Sequence, residues 1–163
     1  MKSNWFAWAH VPKVKEGRKK ELWDRFRNQR INIMYNKIPI IKLLEKDLIT
    51  LLKENLKRDI YIHESFSTIL GKSGGGLNKH NHIAGLDLLK GINLSKKKFS
   101  LVYYLSIGDQ NCNEPGYLSL YEPEEKILPN KGMIITFPAD RYHSIIYNGT
   151  KVRVAIVVNY YAI

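Results

Sequence analysis

From residue 59 to its end, the chain reads as a succession of short β-strands, and this pattern constrains the fold most. Short apolar segments alternate with clusters of Pro, Gly, Asn and Asp, the residues that favour turns. The predicted strands cover residues 60–63, 65–70, 99–106, 116–121, 133–137, 143–147 and 152–161. Many short strands at such close spacing are typical of a sandwich or a jelly roll.

The connections between these strands carry further information. Asn148-Gly149 is a strong hairpin signal, and it predicts that the strand with His143 lies beside the strand with Arg153. Residues 85–98 interrupt the regular spacing of strands and are interpreted as a lid or a poorly ordered loop over the functional site.

The N-terminal part has a helical period instead. A charged helix is predicted over residues 15–28 and a clearer one over residues 38–57, where Pro39 fits the first turn. One apolar stripe runs along the second helix and is expected to pack on the sheet; its residues are Ile40, Ile41, Leu44, Leu48, Leu51, Leu52 and Leu56. The sequence thus predicts a mainly β, α+β domain over residues 1–163, with a helical part at 1–58 and a β core at 59–163.

Charge is spread unevenly along the chain. The formal net charge is +11, and residues 1–58 contribute +9 of it, with 15 Lys/Arg against 6 Asp/Glu. Such a basic part could bind nucleic acid, an acidic protein or an anionic surface, or it could be a solvated helical face.

Composition indicates the cellular compartment that is expected for the protein. The single cysteine, Cys112, excludes an internal disulfide framework, and no stretch approaches the roughly 20 apolar residues of a membrane helix. A cytoplasmic protein without a membrane partner is therefore expected. The aromatic residues Trp5, Phe6 and Trp8 could support a homodimer or cap the core of a monomer.

Three of the five histidines form a pattern that indicates a metal site. His80 and His82 are two residues apart, so in an extended strand both side chains point to the same face. His143 could add a third ligand from a distant strand, and Arg153 could place a fixed cation nearby to hold a carboxylate. A three-ligand site that is open on one side suits non-haem iron and oxygen chemistry.

Four segments of residues 61–161, taken in order, resemble the double-stranded β-helix oxygenases that use iron(II) and 2-oxoglutarate. They resemble more narrowly an uncharacterised group of these oxygenases in which the first metal motif reads H-x-H. The segments are SFSTIL (65–70) with GGG (74–76) and HNH (80–82), FSLVYYL (99–105), GYLSLYEP (116–123), and Pro129 with GMIITFP (132–138), His143, Arg153 and Asn159.

This resemblance implies a cupin-like jelly-roll barrel and a hydroxylase. Iron(II) would be bound by His80, His82 and His143, and no further catalytic residue is implied. 2-Oxoglutarate would be a co-substrate whose far carboxylate pairs with Arg153; Tyr103 or Ser67 would assist. The substrate, a small molecule or a peptidyl side chain, is not identified by any motif.

The sequence departs from the family at the second ligand, because His82 stands where most members have a carboxylate. Asp87 could substitute through a loop. A three-histidine cupin-type enzyme without 2-oxoglutarate is a second interpretation. A non-catalytic jelly-roll module that binds nucleic acid or protein through the basic residues 1–58 is a third.

Overall fold

A computed structural model describes residues 6–8, 33–35, 37–71, 75–89, 91 and 93–163 of the chain. The helix predicted over residues 15–28 lies outside these residues, as does much of the basic N-terminal part. No helix in the described ranges combines the length and the apolar composition that crossing a membrane requires.

Nine strands in the described residues form two antiparallel sheets. The strands are β1 (Phe6–Trp8), β2 (Ile60–Leu70), β3 (Gly75–His80), β4 (Lys98–Ile107), β5 (Pro115–Leu120), β6 (Glu125–Ile127), β7 (Ile134–Pro138), β8 (His143–Tyr147) and β9 (Arg153–Ala162). The major sheet has the order β1-β7-β4-β9-β2, and the minor sheet has the order β3-β8-β5-β6. The predicted mainly β jelly roll, a double-stranded β-helix, is confirmed.

The predicted second helix is confirmed as α1 (Pro39–Leu56). Proline occupies its first turn, and the helix ends at Lys57, whose left-handed backbone lets its N–H bond to the carbonyl of Lys53. The apolar stripe packs on the outer face of the major sheet, and its buried members are Ile41, Leu44, Leu48 and Leu52.

The central strand β9 is covered on both faces, which explains its nearly continuous apolar sequence. Ile156, Val158 and Tyr160 belong to the cluster beneath α1. Ala155 and Val157 belong to a second cluster, which fills the space between the two sheets. Odd-numbered residues of β9 therefore face the minor sheet, and this space holds the candidate site.

The predicted hairpin at Asn148-Gly149 is wrong. β8 pairs with β3 and β5 in the minor sheet, whereas β9 pairs with β2 and β4 in the major sheet. The turn instead carries the chain from one sheet to the other. Asn148 anchors the crossing, since its backbone N–H and its side-chain oxygen both bond to the backbone of Glu114. His143 and Arg153 consequently lie in different sheets, His143 in the minor sheet and Arg153 in the major sheet.

Candidate metal centre and anion pocket

The structure brings together the three histidines that the sequence singled out. His80 ends β3 and His143 begins β8, and the two are direct partners in the antiparallel ladder. His82 follows β3 by two residues, and its backbone N–H bonds to the carbonyl of Ala139 at 2.9 Å. The ligand nitrogens of the three rings all lie within 4.8 Å of one another.

The close approach of β3 and β8 depends on a glycine. A Cβ atom at Gly76 would lie 2.6 Å from the carbonyl oxygen of Ile145, so a side chain there would force the strands apart. Gly75 and Gly76 are accordingly residues of β3.

Hydrogen bonds fix the tautomer of each ring. Nδ1 of His80 lies 2.6 Å from the carbonyl oxygen of Asn78, and Nδ1 of His143 lies 3.2 Å from that of Arg141. Nδ1 of His82 lies 2.6 Å from Oδ1 of Asn159. Because these oxygens can only accept, each Nδ1 carries the proton and each Nε2 carries a lone pair.

The three lone pairs converge without a proton between them. Nε2 of His80 and Nε2 of His82 are 3.2 Å apart, a distance at which two lone pairs repel each other. A cation between the rings removes this repulsion. Three neutral imidazoles suit divalent zinc, copper, nickel or iron, so the donor set fits an iron(II) ion.

The protein keeps these rings neutral. Burial and, to a smaller extent, the neighbouring His82 lower the pKa of His143 to about 3. Burial also lowers the pKa of His82, and the hydrogen bond to Asn159 opposes this effect only in part. Aromatic rings enclose both ligands: Phe137 lies 4.9 Å from His143 and Phe66 lies 6.0 Å from His82. Both histidines are therefore available as ligands at neutral pH.

A relay of polar groups that the sequence did not single out as a site supports His82 from behind. Nδ2 of Asn159 donates to Oε1 of Glu64 at 2.6 Å, and this fixes Oδ1 of the same amide toward His82. Ser100 donates to that Oδ1 at 2.7 Å. Asn159 and Glu64 are 95 residues apart and meet only because β2 pairs with β9, so no local sequence signal could have predicted the contact.

Arg153 lies on the same inter-sheet face as Asn159, six residues earlier on β9, and it is fully buried. Its Nε, Nη1 and Nη2 atoms make no hydrogen bond of normal geometry to any described residue, although the hydroxyl of Tyr104 lies near them. The ring of Tyr104 lies 5.1 Å from the guanidinium carbon. Burial lowers the pKa of Arg153, and Tyr104 partly opposes this. A buried guanidinium that lacks an acceptor is suited to bind an anion.

Two more buried groups complete what we call the Arg153 pocket, formed by Thr68, Tyr104 and Arg153. Thr68 and Tyr104 flank Ala155 from the neighbouring strands, so their side chains share its face. Their hydroxyl groups also lack a partner among the described residues. Gly116 (φ +85°) makes room opposite, since a Cβ there would lie 2.8 Å from Nε of Arg153.

Tyr103 and Ser67, which were expected to assist Arg153, lie on the other face of the major sheet. Tyr103 belongs to the cluster beneath α1, and Ser67 pairs with Ile156 of that same cluster. The residues beside Arg153 are instead Tyr104 and Thr68, each one position further along its strand. The expectation was thus wrong by one residue on both strands, which reverses the face.

Asp87, the alternative carboxylate ligand, is engaged elsewhere. Its Oδ2 pairs with Nζ of Lys98 at 2.8 Å and accepts the N–H of Ala84, while its Oδ1 accepts the hydroxyl of Tyr161. Burial raises the pKa of Asp87, but these donors outweigh burial and the net pKa is lowered. The buried ion pair fixes the loop that follows the metal histidines, and it leaves no free oxygen for a metal.

No protein-family model matches the chain, and no curated protein matches it. Solved structures, in contrast, do match the chain. The chain is similar to EctD from S. alaskensis with 2-oxoglutarate and 5-hydroxyectoine, at a TM-score of 0.74 and 14% identity over 98% of this chain and 72% of that one.

It is also similar to the viral collagen prolyl hydroxylase of Paramecium Bursaria Chlorella virus-1 in its 2OG complex. The TM-score is 0.73 and the identity 13% over 99% of this chain and 97% of that one. An oxidoreductase of the 2OG-Fe(II) oxygenase family from Burkholderia pseudomallei matches at a TM-score of 0.55 and 13% identity. That match covers 76% of this chain, which spans only 57% of that protein's length. The chain therefore has the double-stranded β-helix fold that these 2-oxoglutarate oxygenases share.

Proposed function

We propose that the protein is an iron(II)-dependent oxygenase that couples decarboxylation of 2-oxoglutarate to hydroxylation of a substrate. The observation that carries this proposal is the buried guanidinium of Arg153, which makes no hydrogen bond of normal geometry among the described residues and lies in the same inter-sheet space as the three histidines. A site with a metal at one end and a lone cation at the other fits a ligand that chelates with one end and is anionic at the other. A 2-keto dicarboxylate has this form.

Each part of the site has a separate task in this reaction. His80, His82 and His143 would hold the iron through Nε2, and the iron would supply oxygen activation at its open positions. Arg153 would pair with the far carboxylate, and the hydroxyls of Thr68 and Tyr104 would donate to it. Ala155 and Val157 lie on β9 between the two ends of the site and face the same inter-sheet space. Phe66 and Phe137 would exclude water from the metal.

The substrate remains one of two classes, a small molecule or a peptidyl side chain. Structures similar to this chain include a complex with 5-hydroxyectoine and a viral collagen prolyl hydroxylase. Neither ligand is carried over to this protein by fold alone.

An anaerobic titration tests the proposal. Purified protein receives iron(II) and then 2-oxoglutarate while the visible metal-to-ligand charge-transfer band is followed. We expect a band that requires both additions, is absent in His80→Ala and is strongly weakened in Arg153→Leu. The exposed Arg58 provides a charge-matched control, because Arg58→Leu removes the same charge from the surface.

The same titration separates the competing function. His82 in place of a carboxylate favours a three-histidine metalloenzyme without 2-oxoglutarate, and that enzyme would bind iron(II) but give no band. It would also bind iron equally well in wild type and Arg153→Leu. Absence of iron binding altogether would contradict both enzymes and favour the non-catalytic module.

A further inference from the structure

We propose that Glu64 and Asn159 form a charge relay that positions His82 as the third metal ligand. Through the amide of Asn159, Glu64 supplies the negative charge that a ligating carboxylate would bring. This inference rests on the metal site of the proposed function, and it concerns residues behind the ligands rather than the ligands themselves.

The relay is continuous and its direction is fixed. Glu64 accepts from Nδ2 of Asn159 at 2.6 Å, and Oδ1 of the same amide accepts from Nδ1 of His82 at 2.6 Å. An Asn amide that bonds to a carboxylate with its NH₂ group becomes a stronger acceptor at its oxygen. The carboxylate of Glu64 thereby raises the basicity of Nε2 of His82, as a carboxylate bonded directly to a metal-bound histidine does.

The relay compensates the positive charge of the metal site. Three neutral imidazoles leave both positive charges of a divalent ion uncompensated. Asp87 is already neutralised by Lys98, at 2.8 Å in a pair that is almost fully buried. Among the described residues, Glu64 is the carboxylate that this hydrogen-bond network connects to a metal ligand. The negative charge is thus moved from the ligand sphere to a residue behind it.

Ser100 makes the arrangement specific. Its hydroxyl donates to Oδ1 of Asn159 at 2.7 Å and lies 3.0 Å from Nδ1 of His82, so the amide oxygen is held between two donors. This contact prevents the amide from rotating its NH₂ group toward the histidine, where it would force the wrong tautomer.

The test measures the dissociation constant of iron(II) under anaerobic conditions, by competition with a chromogenic chelator, and the visible spectrum of the cobalt(II) adduct. We expect Glu64→Gln, which keeps the size of the side chain, to weaken iron binding by about tenfold, and Asn159→Leu by about 10–100-fold. The cobalt(II) bands should shift in both variants. The control Glu54→Gln removes the same charge from the exposed face of α1 and should leave both readouts unchanged.

A swap separates charge from packing. The double variant Glu64→Gln/Asn159→Asp moves the carboxylate into direct contact with His82, and the new amide can donate to its second oxygen. Iron affinity should return at least to the wild-type value, whereas a purely structural role predicts no such rescue.

The outcomes are distinct. Wild-type iron affinity in Glu64→Gln, or a double variant as weak as Glu64→Gln alone, overturns the relay while the metal site stands. Failure of the wild type to bind iron(II) overturns the metal site and the relay together.

Discussion

Replacing Arg153 by methionine should make the protein more stable without ligand and unable to gain stability from 2-oxoglutarate. Methionine matches the length of the aliphatic part of arginine, and the surroundings are the packed inter-sheet space. The substitution removes a fully buried guanidinium that has no acceptor among the described residues. A residue that destabilises the empty protein is expected where it serves ligand binding.

The size of the effect follows from two opposing contributions. A buried donor without a partner costs about 1–3 kcal/mol. The contact with the ring of Tyr104, 5.1 Å away, stabilises by about 0.5–2 kcal/mol and is lost in the variant. The free energy of unfolding should therefore rise by about 1 kcal/mol in Arg153→Met. For a chain of 163 residues this raises Tm by about 2–4 °C.

Thermal and urea unfolding of both proteins, with and without iron(II) and 2-oxoglutarate under anaerobic conditions, measures this. At 2-oxoglutarate concentrations of about 100 times its Kd, the wild type gains about 2.7 kcal/mol, so the order of the two stabilities should reverse. Arg141→Met is the control with the opposite sign, because Arg141 donates to the carbonyls of Tyr121 and Pro123 and lies 3.5 Å from Glu125. A ligand-free Arg153→Met that is less stable than wild type, or that is still stabilised by 2-oxoglutarate, would refute the reasoning.

Three further predictions concern the surroundings of the site. Gly116→Ala should lower 2-oxoglutarate affinity and destabilise the protein by about 1–3 kcal/mol, measured by the charge-transfer titration and urea unfolding, because its φ is +85° and its Cβ would crowd Arg153. Lys98→Met should destabilise by about 3–5 kcal/mol, since it leaves Asp87 buried and unpaired, and Asp87→Leu/Lys98→Met should recover most of this loss in the same urea assay. Because folding lowers the pKa of Asp87, the stabilisation that its carboxylate provides is complete above its ordinary pKa of 3.8 and is lost as the pH falls through the folded-state pKa. The free energy of unfolding, measured between pH 5 and pH 2, should therefore change more steeply with pH in the wild type than in the double variant.

The histidines and Arg153 could be found from sequence because their signal is local or chemical. Two histidines at a spacing of two residues share a face in any extended segment, and the turn residues revealed the strands that carry His143 and Arg153. The helix α1 was equally accessible, because one of its faces is solvated and the apolar stripe stands out against lysines.

The faces of the inner strands could not be predicted in the same way. β4 and β9 are buried between α1 and the minor sheet, so no alternation of polar and apolar residues shows which side chains point toward the site. Tyr103 and Tyr104 are therefore indistinguishable by pattern. The misread turn at Asn148-Gly149 has a similar cause, since a tight connection between consecutive strands has the same composition whether they pair or cross between sheets.

Because Arg153 and Asn159 lie on one strand, β9 determines the length of ligand that the site can hold. β9 is hydrogen-bonded along its length to β2 on one side and β4 on the other, so the separation between the anion-binding end and the support of His82 is set by backbone geometry. On the proposed function, the chain length of the keto acid is then read by a rigid scaffold. A homologous acid with one carbon more or fewer would meet either the metal or Arg153 at the right distance, but not both.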